Sequence, residues 1–381
     1  MLKELKFHGD SIRIGRGSIA AVKELGAKRV FLVTGGSSMF NNGSIGKIDT
    51  WLKESGAELM VQSGVPANPP VAIIKQGLER MRSFEPDTVI GIGGGSAMDA
   101  AKLMALFYEY PELDIETAIK AGLPTKRKAI RLVCIPGTSG TASEVTPFAV
   151  VTFTEENLKI GARTPALVPD LAILDPELTL SMPPHVAAET GIDALTHAIE
   201  CFTNPTVDDF TGCLAAGAVE NLFAHLPHSV NQGDIDSREK VHYAQCMAGC
   251  AFGNAGTGMD HGIAHAFGGR FNFGHGLLNA VALPHVIRFN SRDTWAKGRY
   301  EYLACRLGVP DLAIAVLELN RSVGIPASFA AVGVPVTAFH NELDNLSENS
   351  LKGATRVNPV PITAEEMRLL LTNVFAGNLP D

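Results

Sequence analysis

The stretch Thr88-Val89-Ile90-Gly91-Ile92-Gly93-Gly94-Gly95-Ser96 decides the fold class of this chain. Its first five residues are largely apolar and β-branched, which predicts a buried strand. The glycines let the backbone turn sharply, and the residues from Ser96 to about Tyr108 have the spacing of a helix. A strand, a glycine turn and a helix in direct succession are typical of a parallel sheet covered by helices.

The same alternation of strands and helices continues on both sides of this turn. Strands are predicted at 29–33, 57–61 and 129–135, and helices at 44–54 and 70–83. From Met182-Pro183-Pro184 onward the apolar spacing predicts helices almost throughout, first at about 185–203, 207–226, 237–255 and 260–268. We therefore expect an α/β domain with a parallel sheet at 1–182 and an all-α domain at 183–381.

Composition excludes several classes of partner. The 381 residues carry a formal net charge of -8, and the densest basic group, Lys126-Arg127-Lys128, is typical of a solvated loop. Neither a nucleic acid nor a membrane is therefore expected as a partner. The N-terminal residues lack a signal-like apolar region, no apolar stretch is long enough to span a bilayer, and the six cysteines form no disulfide framework. These features predict a cytoplasmic protein.

Two loops are candidates for binding a nucleotide. Gly93-Gly94-Gly95-Ser96 precedes a helix whose first N–H groups are available to a pyrophosphate, although Ser96 replaces the third glycine of a Rossmann fingerprint. The loop at 136–143 follows the next strand and is rich in hydroxyl groups. Loops after successive parallel strands lie at one sheet edge, where open α/β sheets bind ligands. Tight structural turns are the alternative interpretation.

Asp99 lies in the first turn of the helix that follows the glycines. Its charge would repel a phosphate group placed beside it. We expect it to accept hydrogen bonds from neutral donors, such as ribose hydroxyls or backbone N–H groups, or to cap the helix.

The second half contains a set of possible metal ligands. Asp193 and His197 are spaced i,i+4 on a predicted helix, so they share one face. His261 and His265 repeat this spacing, and His275 follows a turn-rich connection. One carboxylate and several imidazoles, without thiolates, are typical of a catalytic divalent ion such as iron(II), zinc, manganese or cobalt. The spacing alone does not choose between His261 and His265.

These segments resemble the signatures of the iron-containing (group III) alcohol dehydrogenases. The cofactor motif of that family is similar to Gly93-Gly94-Gly95-Ser96-Ala97-Met98-Asp99-Ala100-Ala101-Lys102. Its other signatures match, in order, the 136–144 loop, Gly191-Ile192-Asp193-Ala194-Leu195-Thr196-His197-Ala198-Ile199-Glu200 and the 261–285 segment. The similarity covers nearly the whole chain. It implies a Rossmann-like domain followed by a helical domain, an architecture shared with dehydroquinate synthase, with the active site in the cleft between them.

The resemblance assigns metal ligation to Asp193, His197, His261 and His275. His265 becomes a neighbouring catalytic group, part of a proton relay, and His275 joins it among the catalytic candidates. Phe148 and Phe252 are expected near the substrate. Together with the two loops, the residues expected near the cofactor are Gly35, Gly36, Ser37, Asn68, Gly93, Gly94, Gly95, Ser96, Asp99, Thr138, Ser139, Thr141, Thr146 and Lys159.

Two departures from the family pattern bear on the cofactor and the site. Members that prefer NAD often carry an Asp after the first strand, whereas Thr34-Gly35-Gly36-Ser37-Ser38 has no carboxylate. A 2′-phosphate would meet no repulsion there, so NADP is the expected cofactor and NAD the alternative. Near the C-terminus, Asn358-Pro359-Val360-Pro361 replaces the usual Asn-Pro-Arg and changes that edge of the site.

The expected activity is that of a metal-dependent alcohol dehydrogenase, or aldehyde reductase. It is reversible hydride transfer between a primary alcohol or diol and NAD(P), with the metal as Lewis acid on the substrate oxygen. Iron(II) is the expected metal, with zinc or another divalent metal as the alternative. A homodimer or larger homo-oligomer is expected, as is common in such families.

Three other functions are weighed against this one. A glycerol dehydrogenase with zinc would use the same domains. A dehydroquinate-synthase-like lyase would need a dense basic cluster, but around 193–285 only Arg238, Lys240 and Arg270 are present. The third is a non-catalytic nucleotide-binding protein with a structural metal.

Overall fold

Apolar segments of the first half form a parallel sheet in the computed structural model, which describes residues 4–155 and 158–380. The strands are β1 (Ser11–Ile14), β2 (Arg29–Thr34), β3 (Glu58–Gln62), β4 (Thr88–Gly93), β5 (Arg131–Pro136), β6 (Phe148–Phe153), β7 (Leu158–Arg163) and β8 (Leu171–Leu174). The sheet has six strands in the order β1-β8-β5-β4-β2-β3. The glycine turn thus follows a central strand, whose neighbours on both sides are parallel to it.

Helices cover both faces of this sheet. They are α1 (Ser38–Asn41), α2 (Ser44–Glu54), α3 (Val71–Phe84), α4 (Gly95–Glu109) and α5 (Ile115–Ala121). Successive strand residues point to opposite faces. Phe31 and Val33 accordingly lie in one apolar core with residues of α3 and α4, and Val30 and Leu32 lie in a second core with residues of α2.

Strands β6 and β7 form a separate antiparallel hairpin, which the sequence analysis did not predict. Phe148 pairs with Arg163 and Thr152 with Lys159. Strand β6 is tied to the rest of the unit, since Pro70 forms an isolated bridge with Thr152. The second loop, at 136–143, is therefore followed closely by this hairpin.

The second unit is helical, as the apolar periodicity predicts. Its helices are α6 (Pro184–Thr203), α7 (Asp209–Asn231), α8 (Ile235–Ala255), α9 (Met259–Phe271), α10 (His275–Asn290), α11 (Thr294–Leu307), α12 (Leu312–Ser322), α13 (Phe329–Val332), α14 (Val336–Ser350) and α15 (Ala364–Ala376). Helix α7 continues through Pro227 rather than ending at about residue 226. The proline removes one backbone donor, but residues beyond it, such as Val230, still bury their side chains in the unit.

The chain divides into two compact units, Met1–Met182 and Pro183–Asp381. The predicted fold class, a parallel α/β domain followed by a helical domain, is confirmed. Within the part of the chain that the structure describes, no helix is both long and apolar enough to cross a bilayer.

Candidate metal centre and nucleotide-binding turn

Three predicted ligands come together in the helical unit. Asp193 on α6, His261 on α9 and His275 on α10 each offer one ligand atom within 4.8 Å of the other two. Asp193 and His261 are buried, whereas the side chain of His275 is 37% exposed. A cluster with one accessible ligand is typical of a catalytic metal site, in which a coordination position stays open to substrate.

The donor atoms of this cluster fit a divalent cation. Nε2 of His261 is buried and has no hydrogen-bond partner within residues 4–155 and 158–380. Leaving a buried polar atom without a partner costs about 1–3 kcal/mol, and a bound cation removes that cost. One carboxylate and two imidazoles are also a ligand set that iron(II), zinc and related ions accept.

His197 lies beside this cluster, and its role as a ligand stays a prediction. Its ring stacks on Phe252, with centroids 4.1 Å apart and planes 9° from parallel. The ring centroids of His197 and His261 are 4.5 Å apart. Among the described residues, the group whose ligand atoms all lie within 4.8 Å of one another is Asp193, His261 and His275.

His265 is exposed and close to two of the site imidazoles. Its ring stacks on that of His275, with centroids 4.9 Å apart, and meets that of His261 edge-on at 6.3 Å. The i,i+4 spacing on α9 produces this arrangement, because both histidines lie on one face of the helix. A proton relay through His265 stays a prediction.

Two polar residues that were not predicted for the site contact the clustered side chains. Glu200 Oε2 lies 2.5 Å from His261 Nδ1. Asn279 Nδ2 donates to Asp193 Oδ1 over 2.7 Å and lies 3.2 Å from His275 Nε2. Glu200 could have been found from the sequence. Asp193, His197 and Glu200 are spaced i, i+4, i+7, so they share one helix face.

The electrostatics of the cluster favour an anionic Asp193. Burial raises the pKa of this carboxyl, but His197, His275 and His261 and the Asn279 hydrogen bond outweigh it and leave the pKa below its ordinary value. The pKa of Asp260 shifts in the opposite direction. Burial, Glu200 and Asp193 all raise the pKa of Asp260 well above its usual range. The environment thus shifts the pKa of these two carboxyls in opposite directions.

In the α/β unit, the two predicted loops lie side by side. Gly137 N donates to Gly93 O over 2.8 Å, as the pairing of β4 with β5 requires. A Cβ atom added at Gly95 would lie 2.7 Å from the Thr141 side chain, so packing between the loops excludes any side chain at Gly95. At Gly94 the nearest atoms, in Thr138, would be 3.8 Å away.

Gly94 and Gly36 therefore lack a structural reason to be glycine. The φ of Gly94 is -74°, which any residue adopts, and its added Cβ would be in ordinary contact only. An added Cβ at Gly36 would have no atom within 4 Å. Space of this kind beside the N-terminus of α4 fits a nucleotide that approaches the backbone closely.

Other predicted cofactor residues lie near the same sheet edge. Asn68 N donates to Ser96 Oγ over 3.3 Å, which joins the segment after β3 to the start of α4. Gly64 N donates to Gly35 O over 2.8 Å, and Ser37 directly precedes α1. The segments that follow β2, β3 and β4 thus meet there, as expected for parallel strands.

Asp99 and Lys102 are buried in α4 and bind the polypeptide from the end of the second loop to β6. Asp99 accepts hydrogen bonds from Ser143 Oγ at 2.6 Å and from Val150 N at 2.9 Å. Burial raises the pKa of Asp99 and lowers that of Lys102. Asp99 thus binds neutral donors of the protein, in agreement with the backbone N–H alternative, and a ribose contact stays a prediction.

Lys102 holds the start of β6 and the segment just before it. Its Nζ donates to Thr146 O at 2.9 Å and to Phe148 O at 2.7 Å. Ser139 and Thr146 are buried, and burial lowers the pKa of the half-buried Lys159. Cofactor contacts of these residues remain predictions.

The two predicted substrate residues belong to different units. Phe148 begins β6, and the guanidinium of Arg163 lies 5.4 Å from its ring centroid. Phe252 is buried on α8 against His197. A contact of either ring with substrate stays a prediction.

Both units match known proteins. Residues 10–176 match the family described as iron-containing alcohol dehydrogenase, and residues 187–375 match the C-terminal region of the Fe-containing alcohol dehydrogenase family. The NADPH-dependent butanol dehydrogenase of Clostridium saccharobutylicum is 40% identical, over 97% of this chain and 97% of that protein. The 1-propanol dehydrogenase PduQ of Salmonella typhimurium is 37% identical, over 95% of this chain and 97% of that protein.

Solved structures agree with these matches. The iron-containing alcohol dehydrogenase of Thermococcus thioreducens superposes with a TM-score of 0.91 at 34% identity, over 99% of this chain and 100% of that chain. A 1,3-propanediol oxidoreductase superposes with a TM-score of 0.90 at 28% identity, over 98% and 100%. The chain therefore belongs to the iron-containing alcohol dehydrogenase family, whose members are NAD(P)-dependent oxidoreductases with a divalent metal.

Proposed function

We propose that this enzyme interconverts short-chain primary alcohols, diols among them, and their aldehydes, with NADP(H) as the preferred cofactor and iron(II) as the metal. The observation that carries the proposal is the cluster of Asp193, His261 and His275 in a chain that matches both regions of this family. Relatives that act on butanol and 1-propanol support the substrate class.

The preference for NADP(H) rests on the segment after β2. A carboxylate there would repel a 2′-phosphate, but Thr34 is followed by two glycines and two serines. The hydroxyls of these two serines and the backbone N–H groups of the segment are suitable hydrogen-bond donors to a phosphate. The butanol dehydrogenase relative is described as NADPH-dependent, in agreement with this preference.

We propose that Asp193, His197, His261 and His275 hold the metal, which when bound supplies Lewis-acid chemistry to the substrate oxygen. The chain's own groups prepare the site for it. Asn279 orients the carboxylate of Asp193. Phe252 shields one face of the His197 ring from water. His265, exposed and stacked on His275, is placed to exchange a proton with solvent.

In the α/β unit, the first N–H groups of α4 are proposed to bind the pyrophosphate of the cofactor. Gly94 and Gly36 leave room for the close approach that such binding requires. Lys102 and Asp99 hold the polypeptide from Ser143 to Val150 against α4, which keeps the second loop in place. These groups position the cofactor and take no part in bond breaking.

The test is the oxidation of NADPH with butyraldehyde, measured before and after metal removal with a chelator. We expect activity to disappear on chelation and to return when iron(II) is added without oxygen. NADH in place of NADPH should give lower kcat/KM. NADPH oxidation that survives complete metal removal would contradict the proposed function, and higher kcat/KM with NADH would contradict the cofactor preference.

A further inference from the structure

Glu200 makes an unusual set of contacts at the start of α9. Its side chain is buried, and Oε1 accepts the Asp260 N–H at 2.6 Å. Oε2 accepts the Gly258 N–H at 2.9 Å and lies 2.5 Å from His261 Nδ1. One carboxylate on α6 thus binds both the backbone of α9 and the first site histidine on that helix.

Helix α9 depends on this carboxylate for its N-terminal cap. Its N-cap residue is Gly258, which has no side chain that could accept from the free N–H groups. Glu200 accepts hydrogen bonds from two of these N–H groups, and Asn358 accepts the Met259 N–H at 3.3 Å. A Cβ at Gly258 would lie 2.9 Å from Glu200 Oε1, so the close approach itself requires glycine.

The same contact determines which nitrogen of His261 is available to a cation. A carboxylate only accepts hydrogen bonds, so Nδ1 must carry the proton that lies between the two groups. In a neutral imidazole the other nitrogen, Nε2, then has a free lone pair. Nε2 is the buried atom that lacks a hydrogen-bond partner within residues 4–155 and 158–380.

We propose that Glu200 is a positioning residue for the metal site: it fixes the ring orientation and the tautomer of His261, and it holds the start of α9. The inference rests on the ligand set given under the proposed function. A hydrogen bond from the second nitrogen of a ligating imidazole to a carboxylate increases the basicity of the ligand, and loss of such a partner weakens metal binding about 10- to 100-fold.

The test compares Glu200→Gln and Glu200→Asp with the wild-type protein. Each protein is stripped of metal with a chelator and titrated with Co²⁺ against a competing indicator. Glutamine has nearly the same shape but carries no charge and a single acceptor oxygen, so it cannot accept from both the Asp260 N–H and Nδ1–H of His261 as the carboxylate does. We expect Glu200→Gln to bind Co²⁺ about 10- to 100-fold more weakly, and Glu200→Asp to recover part of the affinity because it keeps the carboxylate.

A matched control separates positioning from ordinary capping. Asp234 caps α8 by accepting the Ser237 N–H at 2.9 Å. Loss of such a cap costs about 1 kcal/mol of stability. We expect Asp234→Ala to lower the midpoint of urea unfolding while Co²⁺ affinity stays that of the wild type.

A second measurement follows the imidazole directly and needs no metal. Nitrogen-15 NMR of the metal-free wild-type protein, at a pH at which the imidazole is neutral, should show His261 with its proton on Nδ1, and Glu200→Gln should lower the population of this tautomer. A proton on Nε2 in the wild type, or an unchanged Co²⁺ affinity in Glu200→Gln, would overturn the role of Glu200. A wild-type protein that binds no Co²⁺ would instead contradict the ligand set itself.

Discussion

Asn279 Nδ2 donates a hydrogen bond of 2.7 Å to Asp193 Oδ1, which links α10 to α6 at the metal cluster. The bond orients the carboxylate and contributes to the lowered pKa of Asp193. Both residues are buried, so no water competes easily for the contact. The amide also lies 3.2 Å from His275 Nε2, and one side chain therefore contacts two of the proposed ligands.

Replacement of Asn279 with Leu should weaken metal binding without unfolding the protein. Leucine is close in size but donates no hydrogen bond, so Asp193 loses its fixed orientation. We expect the dissociation constant for Co²⁺ to rise about tenfold, the lower end of the usual effect of such partners. Asn221→Leu is the control, since Asn221 donates only to Gly217 O on its own helix, α7. Equal Co²⁺ binding by the two variants would refute the role of Asn279.

The glycines at positions 94 and 95 should respond differently to alanine. Gly94→Ala places a methyl group where the protein leaves room, so stability should be unchanged while cofactor binding weakens. Gly95→Ala forces the methyl group against Thr141 and should cost about 1–3 kcal/mol of stability. Thermal unfolding and the dissociation constant for NADPH, measured by fluorescence, check both variants. A Gly94→Ala protein that binds NADPH like the wild type would mean that no ligand approaches this turn.

Gly35→Asp should change the cofactor preference from NADP toward NAD. The new carboxylate would repel a 2′-phosphate and accept a hydrogen bond from a 2′-hydroxyl. The position tolerates a side chain, because an added Cβ would lie 3.5 Å from Val65 O. The ratio of kcat/KM for NADPH to that for NADH is the measurement, and Gly35→Asn is the uncharged control. An identical ratio in both variants would exclude charge as the cause of the preference.

Local patterns were sufficient to predict the elements that position the site. The alternation around β4 and the i,i+4 spacing of Asp193 with His197 and of His261 with His265 depend only on neighbouring residues. They predicted the sheet, the helical unit and a set of candidate metal ligands, but they did not choose between His261 and His265. The comparison with known proteins then confirmed the family.

Contacts between residues distant in sequence could not be predicted in the same way. Asp99 reaches Ser143 and Val150, which are 44 and 51 residues away, and the hairpin that contains Val150 has no strong turn signal. Glu200 meets His261 across 61 residues, through a helix start whose position follows from tertiary packing. Such contacts depend on how the helices and strands are assembled, and the spacing of apolar residues carries no information on that assembly.

The burial of His242 on α8 should make the protein less stable in mild acid. Burial lowers its pKa to about 3, below the ordinary value of 6.5, so the folded state holds this imidazole neutral. The unfolded chain takes up a proton once the pH falls below about 6.5, and stability is then lost progressively until about pH 3. Well above pH 6.5 the imidazole is neutral in both states, so its contribution to the free energy of unfolding is fully present. Between pH 6.5 and 5 the loss from this residue is at most about 2 kcal/mol.

Replacement of His242 with Gln removes this proton uptake and isolates its contribution. Urea unfolding at pH 7 and at pH 5 gives the free energy of unfolding of each protein at both values. We expect the wild type to lose more free energy of unfolding than His242→Gln over this interval, because all other titrating groups are common to the two proteins. The difference of the two losses cancels any constant cost of the substitution itself. Equal losses of unfolding free energy in the two proteins would show that His242 titrates normally in the folded protein. Water would then reach the buried face of α8.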